Sequence, residues 1–196
     1  ICTTSHGLAQ YLSQNASVLD SVLDGGFFEP WPDVASLQKQ LTRQLGRAKD
    51  YELMLDAARR WRKDWHFRIG VHHLRGLITA NDAASQYADL AEAILGALWP
   101  FVADQFAQRH GDQPGKGAAV IAMGSLGAGR LNAQSDLDLI VVYDADGADA
   151  SDGPRPLSVR PYYARLTQAF ITAITAPTGE GRLYEVDMRL RPSGRQ

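Results

Sequence analysis

Apolar side chains in the first 110 residues recur at spacings of three and four, the pattern of helices that bury one face. We predict four helices from this pattern, over residues 8–23, 34–45, 50–77 and from about 81 to 106. Asp33 is the expected N-cap of the second helix because its side chain can accept a hydrogen bond from the first turn. This half of the chain is therefore predicted to be all-helical.

The third predicted helix carries an apolar stripe at steps of three and four residues: Met54, Ala58, Trp61, Trp65 and Ile69. Such a stripe indicates a core-facing side rather than a cofactor site. His66, His72 and His73 lie on the same helix, but neighbouring positions on a helix face about 100° apart. Packing or solvent roles are expected for them. A bend is expected at Pro100 in the fourth helix, because proline has no N–H to donate.

The pattern changes after His110, where residues 111–117 are rich in glycine and turn-forming side chains. A boundary is predicted there, between a helical subdomain at residues 1–113 and a second domain at 114–196. An amphipathic helix is predicted at 162–174, after an acidic loop at 144–156. Three strands rich in apolar residues are predicted around it, at 118–123, 137–143 and 182–190.

Composition limits the possible partners. The 196 residues are 45% hydrophobic, which is enough for a core, and 20 basic against 22 acidic side chains give a net charge of -2. This balance does not favour binding to a nucleic-acid polymer.

The only cysteine, Cys2, cannot form an internal disulfide. With no signal-like or membrane-spanning apolar run, a cytoplasmic protein is expected. The first residue, Ile1, suggests a fragment of a longer protein.

Candidate chemistry is concentrated after the first predicted strand. Gly124 and Ser125 follow that strand, and Asp136 and Asp138 come after ten further residues. Alternation along a strand places the two aspartates on one face, about 7 Å apart. Paired carboxylates suit a hard divalent cation, which also accepts substrate phosphates as ligands. A glycine without Cβ lets a phosphate approach the backbone, and the serine hydroxyl can donate a hydrogen bond.

The last predicted strand adds a third acid, since Glu185, Asp187 and Arg189 alternate with apolar residues and share one face. Such alternation also occurs in any half-solvated strand, so this segment alone does not identify a catalytic site. An isolated Asp-x-Asp pair is still weaker evidence for a catalytic site. The combination of Gly-Ser, Asp-x-Asp and a later strand aspartate is more specific.

This combination resembles the signature of the nucleotidyltransferase superfamily. Residues 183–194, Leu-Tyr-Glu-Val-Asp-Met-Arg-Leu-Arg-Pro-Ser-Gly, and residues 68–70, Arg-Ile-Gly, further resemble the glutamine synthetase adenylyltransferase family. The resemblance extends over nearly the whole chain. It departs from the family at Ser125, where the family usually has lysine.

The resemblance implies an α+β fold, in which a mixed sheet with helices follows an all-α helical subdomain. It implies transfer of AMP from ATP to a tyrosine of glutamine synthetase, with Mg²⁺ or Mn²⁺ as cofactor and the PII signalling protein as regulator. The catalytic and metal-binding residues would be Asp136, Asp138 and Asp187. The nucleotide- or phosphate-binding residues would be Gly124, Ser125, Arg189 and Arg191.

The sequence is compatible with several functions. The family is bifunctional, with an adenylyl-removing half and an adenylyl-transferring half, and residues 183–194 together with 68–70 are more like the transferring half. The alternatives are the removing half, which works by phosphorolysis, or a nucleotidyltransferase with a small-molecule acceptor. A docking or regulatory half without turnover is a non-enzymatic alternative.

Overall fold

The computed structural model describes residues 26–188 of the chain. The helix predicted at 8–23 and the candidate residues Arg189 and Arg191 lie outside the described residues. A short 3₁₀ helix, Gly26–Phe28, precedes the main elements. These are α1 (Val34–Leu45), α2 (Tyr51–Leu74), α3 (Ala80–His110), β1 (Gly117–Ala122), α4 (Gly124–Gly127), β2 (Leu137–Asp144), α5 (Val159–Thr175) and β3 (Val186–Asp187).

Local capping explains where the first helices begin. The Asp33 carboxylate accepts a hydrogen bond from the Ser36 backbone N–H at 2.6 Å, which confirms the predicted N-cap of α1. Thr79 and Asp82 form a capping box at the start of α3, each side chain bonding the backbone of the other. Helix starts at these positions are thus encoded by side chains in the first turn.

The ends of α2 and α3 differ from prediction in detail. Helix α2 ends at Leu74, three residues before the predicted end at 77, and Gly76 then adopts a left-handed φ of 67°. Helix α3 includes Pro100 and continues to His110. Helices α1, α2 and α3 are therefore those that the apolar periodicity predicts.

The sheet has three strands in the order β1-β2-β3. Strands β1 and β2 are antiparallel, with Val120 opposite Val141, whereas β2 and β3 are parallel. Helix α5 forms the connection from β2 to β3, as a parallel crossover requires. This arrangement confirms the predicted α+β fold with a small mixed sheet.

The third strand is much shorter than predicted. Among residues 182–188 only Val186–Asp187 is strand. The reason is that the backbone N–H groups of Leu183 and Tyr184 donate to the Ile174 carbonyl at the end of α5, at 3.2 and 3.4 Å. These groups are therefore not available to a neighbouring strand.

One hydrophobic cluster contains side chains from both the helical half and the sheet half. Its fully buried members include Leu41 on α1, Ile69 on α2, Leu90 and Ile94 on α3, Leu137 on β2, and Tyr162 and Phe170 on α5. The predicted division at residues 113–114 stays a prediction. No helix within residues 26–188 is both long and apolar enough to cross a membrane.

Candidate active site

In the turn after β1, the backbone at Gly124 lies against the Asp138 carboxylate. The Met123 N–H donates to the Asp138 carbonyl at 2.8 Å, which holds the end of β1 beside β2. Gly124 then takes a left-handed φ of 53°, and a Cβ added there would lie 2.1 Å from Asp138 Oδ2. Only glycine accommodates both this conformation and this approach.

The residues that follow form one helical turn, α4, which the sequence reading missed. The Gly127 N–H donates to the Met123 carbonyl at 2.8 Å, and a Cβ on Gly127 would lie 2.7 Å from the Ala122 carbonyl oxygen. The two glycines at either end of Gly-Ser-Leu-Gly are the signal for this tight turn. Ser125 lies between them and is exposed, next to Gly124.

Strand β2 follows the predicted alternation. Leu137 and Leu139 are 0% and 2% exposed and belong to the core, whereas Asp138, between them, is only partly buried. Asp136 is exposed and immediately precedes the strand, two positions before Asp138. Asp136 therefore lies at the start of β2, and Asp138 lies on the face of β2 opposite to the core-facing leucines.

The sheet register brings two of the predicted acids together. Asp138 on β2 is the direct partner of Asp187 on β3. Adjacent strands lie about 4.8 Å apart and paired residues share a face, so the two side chains start from neighbouring positions. The Leu137 N–H donates to the Glu185 carbonyl at 2.9 Å and helps to fix this register. Asp187 is partly buried.

The donors at this site are carboxylate oxygens, which are the ligands that Mg²⁺ and Mn²⁺ prefer. Magnesium is commonly bound by one or two carboxylates together with substrate phosphates. Asp138 and Asp187, with Asp136 two residues away along the chain, have the chemistry for this mode of binding. Within residues 26–188 no three acidic, histidine or cysteine side chains are grouped so as to hold a metal ion by themselves.

The loop between α4 and β2 is anchored to the helical half. The Leu131 N–H donates to the Ala84 carbonyl on α3 at 3.0 Å, and the Leu131 side chain is 3% exposed. At the end of the loop, the Asn132 N–H donates to Ser135 Oγ at 3.0 Å. These contacts fix the segment just before Asp136. The sequence reading assigned no role to this loop.

Comparison with known proteins assigns the family. A family model described as glutamate-ammonia ligase adenylyltransferase matches residues 1–196. The chain belongs to this family. The expected resemblance is thereby confirmed over the whole chain.

Curated relatives agree with this assignment, and each is called a bifunctional glutamine synthetase adenylyltransferase/adenylyl-removing enzyme. The relative from Xanthobacter autotrophicus is 46% identical over 197 residues, which cover 100% of this chain and 20% of that protein. The relative from Brucella suis is 44% identical over 99% of this chain, and that from Bradyrhizobium diazoefficiens 42% over 96%. The chain spans about a fifth of the length of these relatives.

Side chains of α2 and α3 pack around Tyr184, which precedes β3, in this adenylyltransferase-family chain. The Arg62 guanidinium lies 4.3 Å from the centre of the Tyr184 ring, and His66 packs against Tyr87 at 4.7 Å between ring centres. Burial, and secondarily the charge of Arg62, lowers the pKa of His66 to about 3. His66 is therefore neutral at pH 7, in line with the packing role expected from the sequence.

Proposed function

We propose that this chain contributes the nucleotidyltransferase centre that transfers AMP from ATP to a tyrosine hydroxyl of glutamine synthetase. The observation that carries the proposal is the contact of the Gly124 backbone with the Asp138 carboxylate, which in turn pairs in register with Asp187. Paired carboxylates beside a glycine turn suit a metal-bound triphosphate.

The reaction forms one bond and breaks another. The acceptor oxygen of the tyrosine bonds to the α-phosphorus of ATP, the bond from that phosphorus to the bridging oxygen breaks, and pyrophosphate leaves. The phenolic proton is lost to solvent, and since its unperturbed pKa is about 10, it needs assistance at neutral pH. In this proposal Asp187 orients the acceptor hydroxyl, and Ser125 donates its hydroxyl proton in a hydrogen bond to a phosphate oxygen.

Asp138 and Asp187, with Asp136 as the third acid, would hold Mg²⁺ or Mn²⁺ together with phosphate oxygens of the substrate. Such an ion, when bound, neutralises phosphate charge and lowers the pKa of a coordinated hydroxyl. Arg189 and Arg191, which lie just after Asp187 in the chain, are proposed to neutralise further phosphate charge. Glutamine synthetase is the proposed protein substrate, and PII the proposed regulator, the latter on the resemblance alone.

The adenylyl-removing reaction is the second candidate, because the names of the relatives include both activities. In that reaction phosphate would attack the phosphorus of AMP-tyrosine and release ADP. The same acids would serve both reactions. The sequences of residues 183–194 and 68–70 favour transfer, because they are more like the transferring half of the family.

The test uses a protein of the relatives' full length that contains this chain. We expect Asp138→Asn and Asp187→Asn to reduce AMP transfer by about 100-fold or more, since each removes a charged ligand worth several kcal/mol in the transition state. Asp187→Asn should reduce the rate more than the affinity for ATP. The fold should be retained, because neither side chain belongs to the core.

Asp149→Asn is the matched control, because Asp149 is an exposed acid in the loop after β2. Its rate should equal that of the unmodified protein. Normal turnover by both Asp138→Asn and Asp187→Asn would refute the proposed metal site. Transfer of AMP to a small molecule but never to glutamine synthetase would change the acceptor class.

A further inference from the structure

A buried arginine in the helical half binds the connection that leads to Asp187. Arg59 on α2 is 1% exposed, and its guanidinium donates hydrogen bonds to backbone carbonyls. The Nε atom donates to Gly181 at 2.8 Å. One terminal nitrogen donates to Leu55 at 2.9 Å, and the other donates to Ala173 and Ala176 at 3.0 and 2.7 Å.

Three of these carbonyls belong to the end of α5 and the turn that follows. The last carbonyls of a helix have no partner within the helix. Ala173 would normally accept from the N–H of residue 177, but that residue is Pro177, which has no N–H. Arg59 supplies the missing donor for Ala173. A guanidinium has five donors in a fixed plane, so one side chain can bind several carbonyls at once.

The same connection determines where β3 begins. The Gly181 carbonyl that accepts from Arg59 lies six residues before Asp187. The intervening backbone is tied to α5 where Leu183 and Tyr184 donate to the Ile174 carbonyl. Arg59 thus holds both ends of the 176–181 turn from which the chain enters β3.

A second set of contacts to this turn lies at the surface. Glu180 forms ion pairs with Arg60 at 3.1 Å and Lys63 at 2.9 Å. The Arg60 side chain is 48% exposed, and ion pairs in such positions contribute little stability. Glu180 therefore offers a control that perturbs the same turn without touching the buried guanidinium.

We infer that Arg59 is a positioning residue, which sets the place of Asp187 in the candidate site by binding the α5–β3 connection. This inference rests on the proposed function for its catalytic consequence. Its structural consequence, the fixed position of residues 177–188, can be measured independently. Arg59 acts through the backbone, because its guanidinium donates to carbonyls and not to the acids of the candidate site.

The test compares Arg59→Lys with Glu180→Gln in the full-length protein. Lysine keeps the charge but has a single nitrogen, which cannot reach all four carbonyls. We expect amide hydrogen exchange in residues 177–188 to accelerate about tenfold or more in Arg59→Lys, and exchange in α1 and α3 to stay unchanged. Glu180→Gln should leave both regions as in the parent.

The catalytic measurement compares the change in kcat for AMP transfer with the change in KM for ATP. In Arg59→Lys we expect kcat for AMP transfer to fall about tenfold or more and KM for ATP to change by a smaller factor, since the Gly124 and Asp138 side of the site is untouched. Gly181→Ala is a second variant, because its φ is 83° and an added Cβ meets nothing within 4 Å. Alanine at this exposed position strains the same turn without a new contact, and it should likewise lower kcat more than it changes KM for ATP.

Several results would overturn the inference. One is parent-like exchange in residues 177–188 of Arg59→Lys. Another is equal acceleration throughout the chain, or a general loss of helix, which would make Arg59 a residue of overall stability. If the parent protein itself transfers no AMP, the proposed function fails, whereas the exchange result still decides the role of Arg59.

Discussion

Gly124 is the residue at which backbone conformation and candidate chemistry depend most directly on each other. We expect Gly124→Ala to lower AMP transfer about 100-fold, because its Cβ would lie 2.1 Å from Asp138 Oδ2 and displace that carboxylate. The left-handed φ of 53° adds about 1–2 kcal/mol of strain. Steady-state kinetics and urea unfolding of the full-length protein measure the two effects.

Gly147→Ala separates strain from contact. Gly147 has a φ of 77°, and a Cβ there would meet nothing within 4 Å. The same loss of about 1–2 kcal/mol in the free energy of unfolding is expected, with no change in rate. If both variants lost activity equally, the contact between Gly124 and Asp138 would not be the cause.

His66 predicts a dependence of stability on pH. Its folded-state pKa is about 3, because burial, and secondarily the charge of Arg62, disfavours the imidazolium. An unfolded histidine has a pKa of about 6.5, so between these values only the unfolded chain binds the proton. The contribution of His66 is therefore present above about pH 6.5 and is lost as pH falls. Between pH 7.5 and pH 5 the loss is about 2 kcal/mol.

The measurement is urea unfolding of the parent and of His66→Phe at both pH values and constant ionic strength. Phenylalanine keeps an aromatic ring against Tyr87 and Tyr184 but cannot bind a proton. We expect the difference in stability between the two proteins to move by about 2 kcal/mol in favour of the variant at pH 5. An unchanged difference would mean that His66 is protonated in the folded chain.

At the scale of elements, helices were predictable because their signals are local. Asp33 caps α1 as predicted, and the apolar stripe of α2 is buried at Met54, Ala58, Trp61 and Ile69, with Trp65 packed against the core. Helix α5 needed only its own periodicity and covers Val159–Thr175, slightly more than the predicted 162–174. Three- and four-residue spacing contains the information for each of these faces.

The strands depended on distant partners, and there the prediction was only partly right. Strands β1 and β2 match within one residue at each end. Alternation in residues 182–188 did not reveal that Ile174 accepts the hydrogen bonds of Leu183 and Tyr184. Nor did the sequence reading identify α4, whose turn depends on the closeness of Gly127 to the Ala122 carbonyl. Both features depend on contacts that a linear pattern does not contain.

At the scale of the whole molecule, the candidate site depends on both halves of the chain. Helix α3 anchors the loop before Asp136 through Ala84, and helix α2 binds the connection before Asp187 through Arg59. The pairing of Asp138 with Asp187 was predicted only as a shared site, since sequence alternation gives the face but not the register. The helical half is thus part of the framework of the site.

The last prediction concerns which reaction the whole protein performs with this centre. A protein of the relatives' full length, with the other half inactivated, should convert ATP and unmodified glutamine synthetase into AMP-tyrosine and pyrophosphate. Mass spectrometry of the synthetase and a pyrophosphate assay measure the products, and Asp138→Asn in this centre is the control for background.

The same preparation should be given AMP-modified synthetase and phosphate, because the removing reaction would release ADP. We expect transfer and no ADP, since residues 183–194 and 68–70 resemble the transferring half. Release of ADP without any transfer would assign this chain to the removing half. That result would leave the acids in place, since Asp138, Asp187 and the Gly124 contact serve either direction of attack at the phosphorus.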